Sequence, residues 1–454
     1  MFEVKGKYTT AKIMADEIES ECLSQIYGFV NHPAFNNPVS IMPDTHAGKG
    51  SVIGFTMPLG EKVIANVIGV DIGCGMLSFE FEKNELEKYD EVDFDKNVRE
   101  EIPFGIEIRK DNGFDIERSF SWVKCQEQAN RVAKHLNKKW NTSVKTPKYN
   151  YEYFLDLCDR IGSNELYAKR SVGTLGSGNH FIEVGRSEKT NNLWFTIHSG
   201  SRNLGKRVCE YWQRYARGEG DKKKIEFEKG LRELKSKFKG KELGDKINNL
   251  RVKLNKNINV KSKGLEFLEG EEAFGYIFDM IFAQIYAEIN RFEMFKKILL
   301  VLNKKQIHVS NFIETIHNYI SFKDFIIRKG AISSYTNERM IIPLNMEDGI
   351  LLCKGKSNEE WNFSAPHGSG RLFSRSEAKE VINLEEAKKS MKEKGIFSTS
   401  IPIDEVKDAY KNSKFIEESI KPTAEIIDKI IPVHNLKDSS DITPPWKKKK
   451  EVKN

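Results

Sequence analysis

The stretch GVDIGCGM, Gly69 to Met76, sets an acid and a thiol three residues apart in a glycine-rich turn. Glycines at 69, 73 and 75 permit tight backbone and leave space around Asp71 and Cys74, so both side chains can point at one spot. A hard oxygen beside a soft thiolate suits a transition metal better than calcium or magnesium alone. The same octapeptide also reads as a strand ending in a tight turn with a buried cysteine, and by itself it favours neither reading. Three histidines in similar settings bear on the choice. His180 follows the glycine-rich SVGTLGSGN, His198 ends the apolar run LWFTI, and His317 lies in IHNYI. An acid, a thiol and three imidazoles exceed the four ligands of a closed structural zinc site. Two ions sharing one thiolate would use all five donors and keep positions open for substrate, the arrangement that suits phosphoryl chemistry. His367 has a different setting, SAPHGSGRLFSR, where Arg371 and Arg375 stand among small residues. Such a loop lets phosphate oxygens reach backbone amides and guanidinium groups together. There a histidine suits a covalent nucleophile attacking phosphorus.

The chain that must hold these groups has 454 residues, long enough for two or three domains or one large one. Hydrophobic residues make up 39% and charged residues 31%, which fits a soluble globular protein and leaves no apolar run able to span a bilayer. The start, MFEVKGKYTTAKI, has neither the apolar core of a signal peptide nor an amphipathic presequence, so a cytoplasmic protein without membrane attachment is expected. A net charge of +7 permits nucleic-acid binding without demanding it. The six cysteines are scattered and form no CxxC pair, which favours reduced thiols over a zinc ribbon or a disulfide framework.

Apolar spacing predicts helices over 10–32, 84–101 and 115–140, and a long buried helix over 271–299. The glycine-rich motifs lead into or follow strands. Residues 218–264 are rich in lysine with two short leucine stripes, which predicts a helical hairpin inserted in the body. Residues 439–454 read as a basic, disordered tail. Strand ends mixed with long helices, without regular βαβ alternation, predict an α+β fold with mixed sheets. Ligands drawn from positions 71 to 317 must converge, so residues 1–438 are expected to form a single large catalytic domain.

Seven segments, MPDTHAGKG, GVDIGCGM, GTLGSGNHFIE, HSGSR, HNY, RKGA and HGSGRLFSR, in this order, closely resemble the RtcB family of RNA-splicing ligases from about Ile18 to Lys437. The resemblance implies joining of RNA 3′-phosphate or 2′,3′-cyclic phosphate ends to 5′-hydroxyl ends with GTP and two Mn²⁺ ions, in tRNA splicing or RNA repair, with room for an activating protein partner. It implies that Cys74 bridges the ions, with His180 and His198 on one and Asp71 and His317 on the other. It further implies that His367 carries GMP through a phosphoramidate bond. Asn179, Glu183, His317, Asn318, Gly368, Ser369, Gly370, Arg371, Tyr410 and Lys437 would hold the nucleotide, and Arg202, Lys329 and Arg375 would bind RNA phosphates. Two departures stand out. IPLNMEDGI replaces the PGSMG-like loop beside the guanylate, which bears on GTP preference, and HGSGR replaces HGAGR. A metal phosphoesterase that opens cyclic phosphates without joining would use the five ligands but not His367; a non-catalytic RNA-binding paralogue would have no need of the ligand set.

Overall fold

A computed structural model of the chain describes residues 1–86, 89–218, 264–304 and 312–438, with a few positions between 231 and 250. The expected hairpin over 218–264 and the tail over 439–454 lie largely or wholly outside the described residues. The two roots of the insertion bond to one another, with Gln213 Nε2 donating to Glu266 Oε2 at 2.8 Å, and Asn66 Nδ2 holds the second root by donating to the Gly264 carbonyl at 3.1 Å.

The α+β expectation holds. Seven strands form one sheet in the order Arg339–Asn345, Gly349–Gly355, Ala424–Leu436, Phe181–Ser187, Leu193–Ser199, Gly75–Phe81 and Phe312–Ile316, every neighbour antiparallel. A second sheet of six strands is mixed, because Thr10–Ile13 runs parallel to Val39–Ile41 while its other pairs are antiparallel. A two-stranded ribbon joins Ala331–Ser333 to Ser364–Pro366.

The long helix spans Gly270–Val301 and packs on the strands Leu193–Ser199 and Gly75–Phe81. It is apolar on most sides, and its buried Asp279, Asn290 and Arg291 are each partnered, while the buried Tyr276 hydroxyl has no partner among the described residues. Asp279 accepts from Arg160, Tyr153 and the Trp212 indole at 2.7–2.9 Å. Arg291, fully buried, donates to the Gly73 and Ser199 carbonyls at 2.8 and 2.9 Å and to Glu314 at 2.7 Å. Asn290 bonds the amides of Gly173 and Thr174 and the Gly200 carbonyl. One turn of helix thus ties together the ends of the strands that carry the expected ligands. No helix among the described residues is long and apolar enough to cross a membrane.

Four expectations need correction. Residues 10–32 divide into the strand Thr10–Ile13 and the helix Ser20–Val30, because Thr9-Thr10 and Ile13 sit in a segment that pairs on both sides. Residues 84–101 hold a 3-10 turn and a helix that begins only at Glu91, where the Asp90 side chain caps it. The helix over 115–140 breaks at Phe120–Ser121 into Ile116–Ser119 and Trp122–Trp140. The segment before GVDIGCGM forms the short helix Ala65–Ile68, and Cys74 immediately precedes the strand Gly75–Phe81 instead of following one.

Replacing Arg291 with Met should leave two carbonyls and Glu314 without their donor. A loss of about 3–5 kcal/mol in denaturant unfolding is expected; a loss under about 1 kcal/mol would show that the strand ends hold their places without it.

Candidate metal centre and nucleotide cavity

Strand register brings the five ligands together. Gly75 pairs with Ser199 on one side and Ile316 on the other, and Met76 pairs with His198, so Cys74 and His317 flank Gly75 and Ile316 at one sheet edge. Phe181 pairs with His198 and sets His180 beside them. Gly75 has to be glycine, since a Cβ there would stand 2.3 Å from the Thr315 carbonyl oxygen. Asp71 comes from the turn before Cys74. Its carboxylate accepts from the Ser201 amide at 3.0 Å, close against Gly200, where a Cβ would meet it at 2.4 Å.

The ligand atoms fall into two overlapping groups, Asp71–Cys74–His180 and Cys74–His198–His317, each within 4.8 Å. Cys74 Sγ is 3.6 Å from His180 Nε2 and 3.3 Å from His198 Nε2. Cys74 is thus the common member, as the resemblance implies. The distances group the donors otherwise than the implied pairing of His180 with His198 and of Asp71 with His317: His180 Nε2 lies 3.1 Å from Asp71 Oδ2, and His198 Nε2 lies 3.2 Å from His317 Nε2.

The donor chemistry fits a cation. His180 Nδ1 donates to the Leu175 carbonyl at 2.9 Å and His198 Nδ1 to the Asn179 carbonyl at 3.0 Å. In the neutral rings both Nε2 atoms then carry lone pairs aimed at the centre. Desolvation, with neighbouring imidazoles, holds His198 and His317 well below the usual histidine range, so both are neutral ligands at pH 7. Burial works to raise Asp71, but the His180 contact and the nearby Arg202 outweigh it and hold the carboxyl low. Burial and the Asp71 charge push the Cys74 thiol well up, so a bound cation is what would draw off its proton.

Beside this centre lies a cavity of about 680 Å³ lined by Asp71, Cys74, His198, His317 and His367. His367 follows the strand Ser364–Pro366, and its Nδ1 donates to Asp44 Oδ2 at 2.7 Å, with its own amide donating to the same oxygen at 3.2 Å. Asp44 is fully buried, so the carboxylate fixes the ring and leaves Nε2 as the nitrogen with a lone pair. Three buried atoms of cavity-lining residues, Glu183 Oε1, His317 Nδ1 and Ser369 Oγ, have no partner among the described residues. Burial raises Glu183 to about 8, offset in part by Lys437. Unpartnered polar atoms at a cavity wall fit a ligand that brings its own donors and acceptors.

Asn179, Asn318, Gly368, Gly370, Arg371, Tyr410, Lys437 and Arg375 also line the cavity. Lys329 and Arg202 do not. The Lys329 ammonium is buried and donates to the carbonyls of Lys49, Ser51 and Asn66, so it fastens the 49–51 loop and cannot meet RNA phosphate. Burial lowers it to about 7. Arg202 opens the helix Arg202–Ala216 with φ 55°, and its guanidinium donates to Thr174 Oγ1 and the Gly105 carbonyl. It acts behind Asp71. Sequence reasoning placed Asp44 in a glycine-rich loop without a role, since nothing local pairs it with a histidine 323 positions away. It also passed over Glu405, a buried carboxylate that receives Arg371, Arg375, Tyr410 and Lys437.

A family model described as tRNA-splicing ligase RtcB matches residues 25–438. The chain is 25% identical to the RNA-splicing ligase RtcB of Escherichia coli (strain K12), covering 90% of this chain and 92% of that one. It is 24% identical to the tRNA-splicing ligase RtcB of Nanoarchaeum equitans, covering 93% and 92%, and 25% identical to that of Methanococcus maripaludis, covering 90% and 89%.

Metal content after loading with Mn²⁺ tests the grouping. Cys74→Ser should lose both ions; Asp71→Ala and His180→Ala should each lose one, and His198→Ala and His317→Ala the other. The Asp71→Ala/His180→Ala double variant should then keep one ion, whereas pairing His180 with His198 predicts that it keeps none.

Proposed function

The chain belongs to the RtcB family of RNA-splicing ligases and is an RNA ligase; from that premise we propose that it joins RNA 3′-phosphate or 2′,3′-cyclic phosphate ends to 5′-hydroxyl ends through GMP carried on His367, with GTP and two manganese ions, in tRNA splicing or RNA repair. The observation that carries this reading is the Asp44–His367 pair beside the ligand cluster. A histidine held at Nδ1 by a buried carboxylate presents Nε2 as the nucleophilic nitrogen of its neutral ring. A phosphoesterase that only opened cyclic phosphates would have no use for that arrangement.

The reaction proposed on the family resemblance runs in three transfers. His367 Nε2 attacks the α-phosphorus of GTP, a nitrogen–phosphorus bond forms, and pyrophosphate leaves with the bonding electron pair. An oxygen of the RNA 3′-phosphate then takes the guanylate from His367, which regains its lone pair. The 5′-hydroxyl attacks the RNA phosphorus, loses its proton, and GMP departs as the phosphodiester forms. A cyclic phosphate is opened by water first. Asp71, Cys74, His180, His198 and His317 would hold the manganese ions, which supply Lewis acidity toward phosphate oxygens. Manganese, not zinc, comes from the family, since zinc binds such donors more tightly in the general affinity order.

Guanine is favoured by Glu183, whose unpartnered carboxyl oxygen can accept from the base's ring and exocyclic N–H groups, donors that would draw the buried carboxyl back to its charged form. Adenine lacks the ring donor. The variant loop contributes shape instead of polar contacts, because the Asn345 side chain is fully used by the amides of Glu347 and Asp348 and by Asp348 and Ser413. Leu344 and Met346 there give the cavity an apolar wall.

Ligation of a 3′-phosphate RNA to a 5′-hydroxyl RNA should proceed with GTP and Mn²⁺ and fail with ATP; equal activity with ATP overturns the guanylate assignment. Asp44→Asn should slow guanylylation on the order of 10²-fold with metal content unchanged. His367→Ala should abolish joining from GTP but still seal an RNA supplied with a 3′-guanylate, and loss of both would contradict the nucleophile role.

A further inference from the structure

Four of the side chains at the cavity share one anchor. Glu405 lies in the 3-10 turn Ile403–Glu405 and is 1% exposed. Its two oxygens face different partners. Oε1 accepts from Arg371 at 3.2 Å, in the loop that follows His367, and from Arg375 at 2.8 Å, the first residue of the helix Arg375–Val381 that ends that loop. Oε2 accepts from the Tyr410 hydroxyl at 2.7 Å and the Lys437 ammonium at 2.9 Å. Burial works against the Glu405 charge, yet Lys437 and Arg375 hold its carboxyl at about 2.

The backbone reinforces the same connection. The Leu372 amide donates to the Ala409 carbonyl at 2.9 Å, and the Lys411 amide to the Gly370 carbonyl at 3.0 Å. Lys411 Nζ reaches on to the carbonyls of Pro43 and Thr45, on either side of Asp44. Residues 404–411 therefore brace both the loop that carries His367 and the loop that orients it.

We infer that Glu405 is a positioning residue for guanylylation, fixing the arginines beside His367 relative to the Tyr410–Lys437 pair so that the phosphate and nucleoside ends of GTP are seated together. The inference rests on the guanylylation reading above. Charge balance alone makes the opposite forecast. Removing an anion from beside three cations would strengthen their pull on a triphosphate, whereas losing the brace disorders the groups that must meet it.

Label transfer from α-labelled GTP with Mn²⁺, followed over GTP concentration, separates the two. Glu405→Gln should raise half-saturating GTP about tenfold or more with metal content unchanged. Glu405→Asp, which keeps the charge but shortens the reach, should give an intermediate rise. Glu405→Gln/Tyr410→Phe should be no worse than Glu405→Gln alone, since Tyr410 acts through the same oxygen pair. Equal or lower half-saturating GTP in Glu405→Gln overturns the positioning role and leaves guanylylation standing. Should that variant not fold, Glu405→Asp decides, an unchanged value overturning the role. A wild type that takes no label overturns guanylylation itself; calorimetric binding of GMP then judges Glu405, with weaker binding in Glu405→Gln supporting the brace and equal, tighter or no wild-type binding overturning it.

Discussion

Three strand ends have to lie level for this site to exist, and a buried guanidinium holds them there. Arg291 reaches from the long helix to the carbonyls that precede Cys74 and follow His198, and to Glu314 just before His317. Such a cation in an apolar setting is stable only with its donors matched, so its contacts leave little freedom for the turns it holds. Gly75 lets the outer strand close to hydrogen-bonding distance, and the register then sets Cys74, His198 and His317 side by side. The sheet supplies the geometry, and the helix locks it.

Crowding five donors into one buried spot is unfavourable unless a positive charge sits among them. His180 Nε2 and Asp71 Oδ2 at 3.1 Å need either a proton or a metal between them, and the carbonyl bonds at the two Nδ1 atoms leave the Nε2 lone pairs for the metal. Asp44 applies the same logic to His367 for a different end. There, in the proposed reaction, the bond at Nδ1 would leave Nε2 for phosphorus in place of a cation. The cavity thus joins an electrophile-binding side to a nucleophile, with orphaned polar atoms at Glu183 and Ser369 where a nucleotide would complete the bonding.

Much of this was legible in the sequence, and the reasons differ from residue to residue. Asp71 and Cys74 announce themselves because both lie in one turn, and His180 and His198 because each borders an apolar strand. The long helix over 271–299 is readable since its apolar residues cover most of its surface. Strand pairing is harder: Thr10–Ile13 reads as helical when Ile13 is counted with the stripe Ile18, Cys22, Ile26 and Phe29, and only partners on both sides reveal the strand. Which ligands pair is a matter of distances across strands, beyond any spacing in the chain. Lys329 in RKGA resembled a phosphate contact, yet its alternating strand face points it into the protein against three carbonyls. Asp44 and Glu405 were invisible as site residues because their partners are distant in sequence.

The central claim is that a covalent guanylate forms on one nitrogen of one histidine. Peptide mapping by mass spectrometry after brief exposure to GTP and Mn²⁺ tests it most directly. One GMP per chain, acid-labile and confined to the peptide containing His367, is the result this account requires. A guanylate on any other residue, or none on a protein that still joins RNA ends, would contradict it.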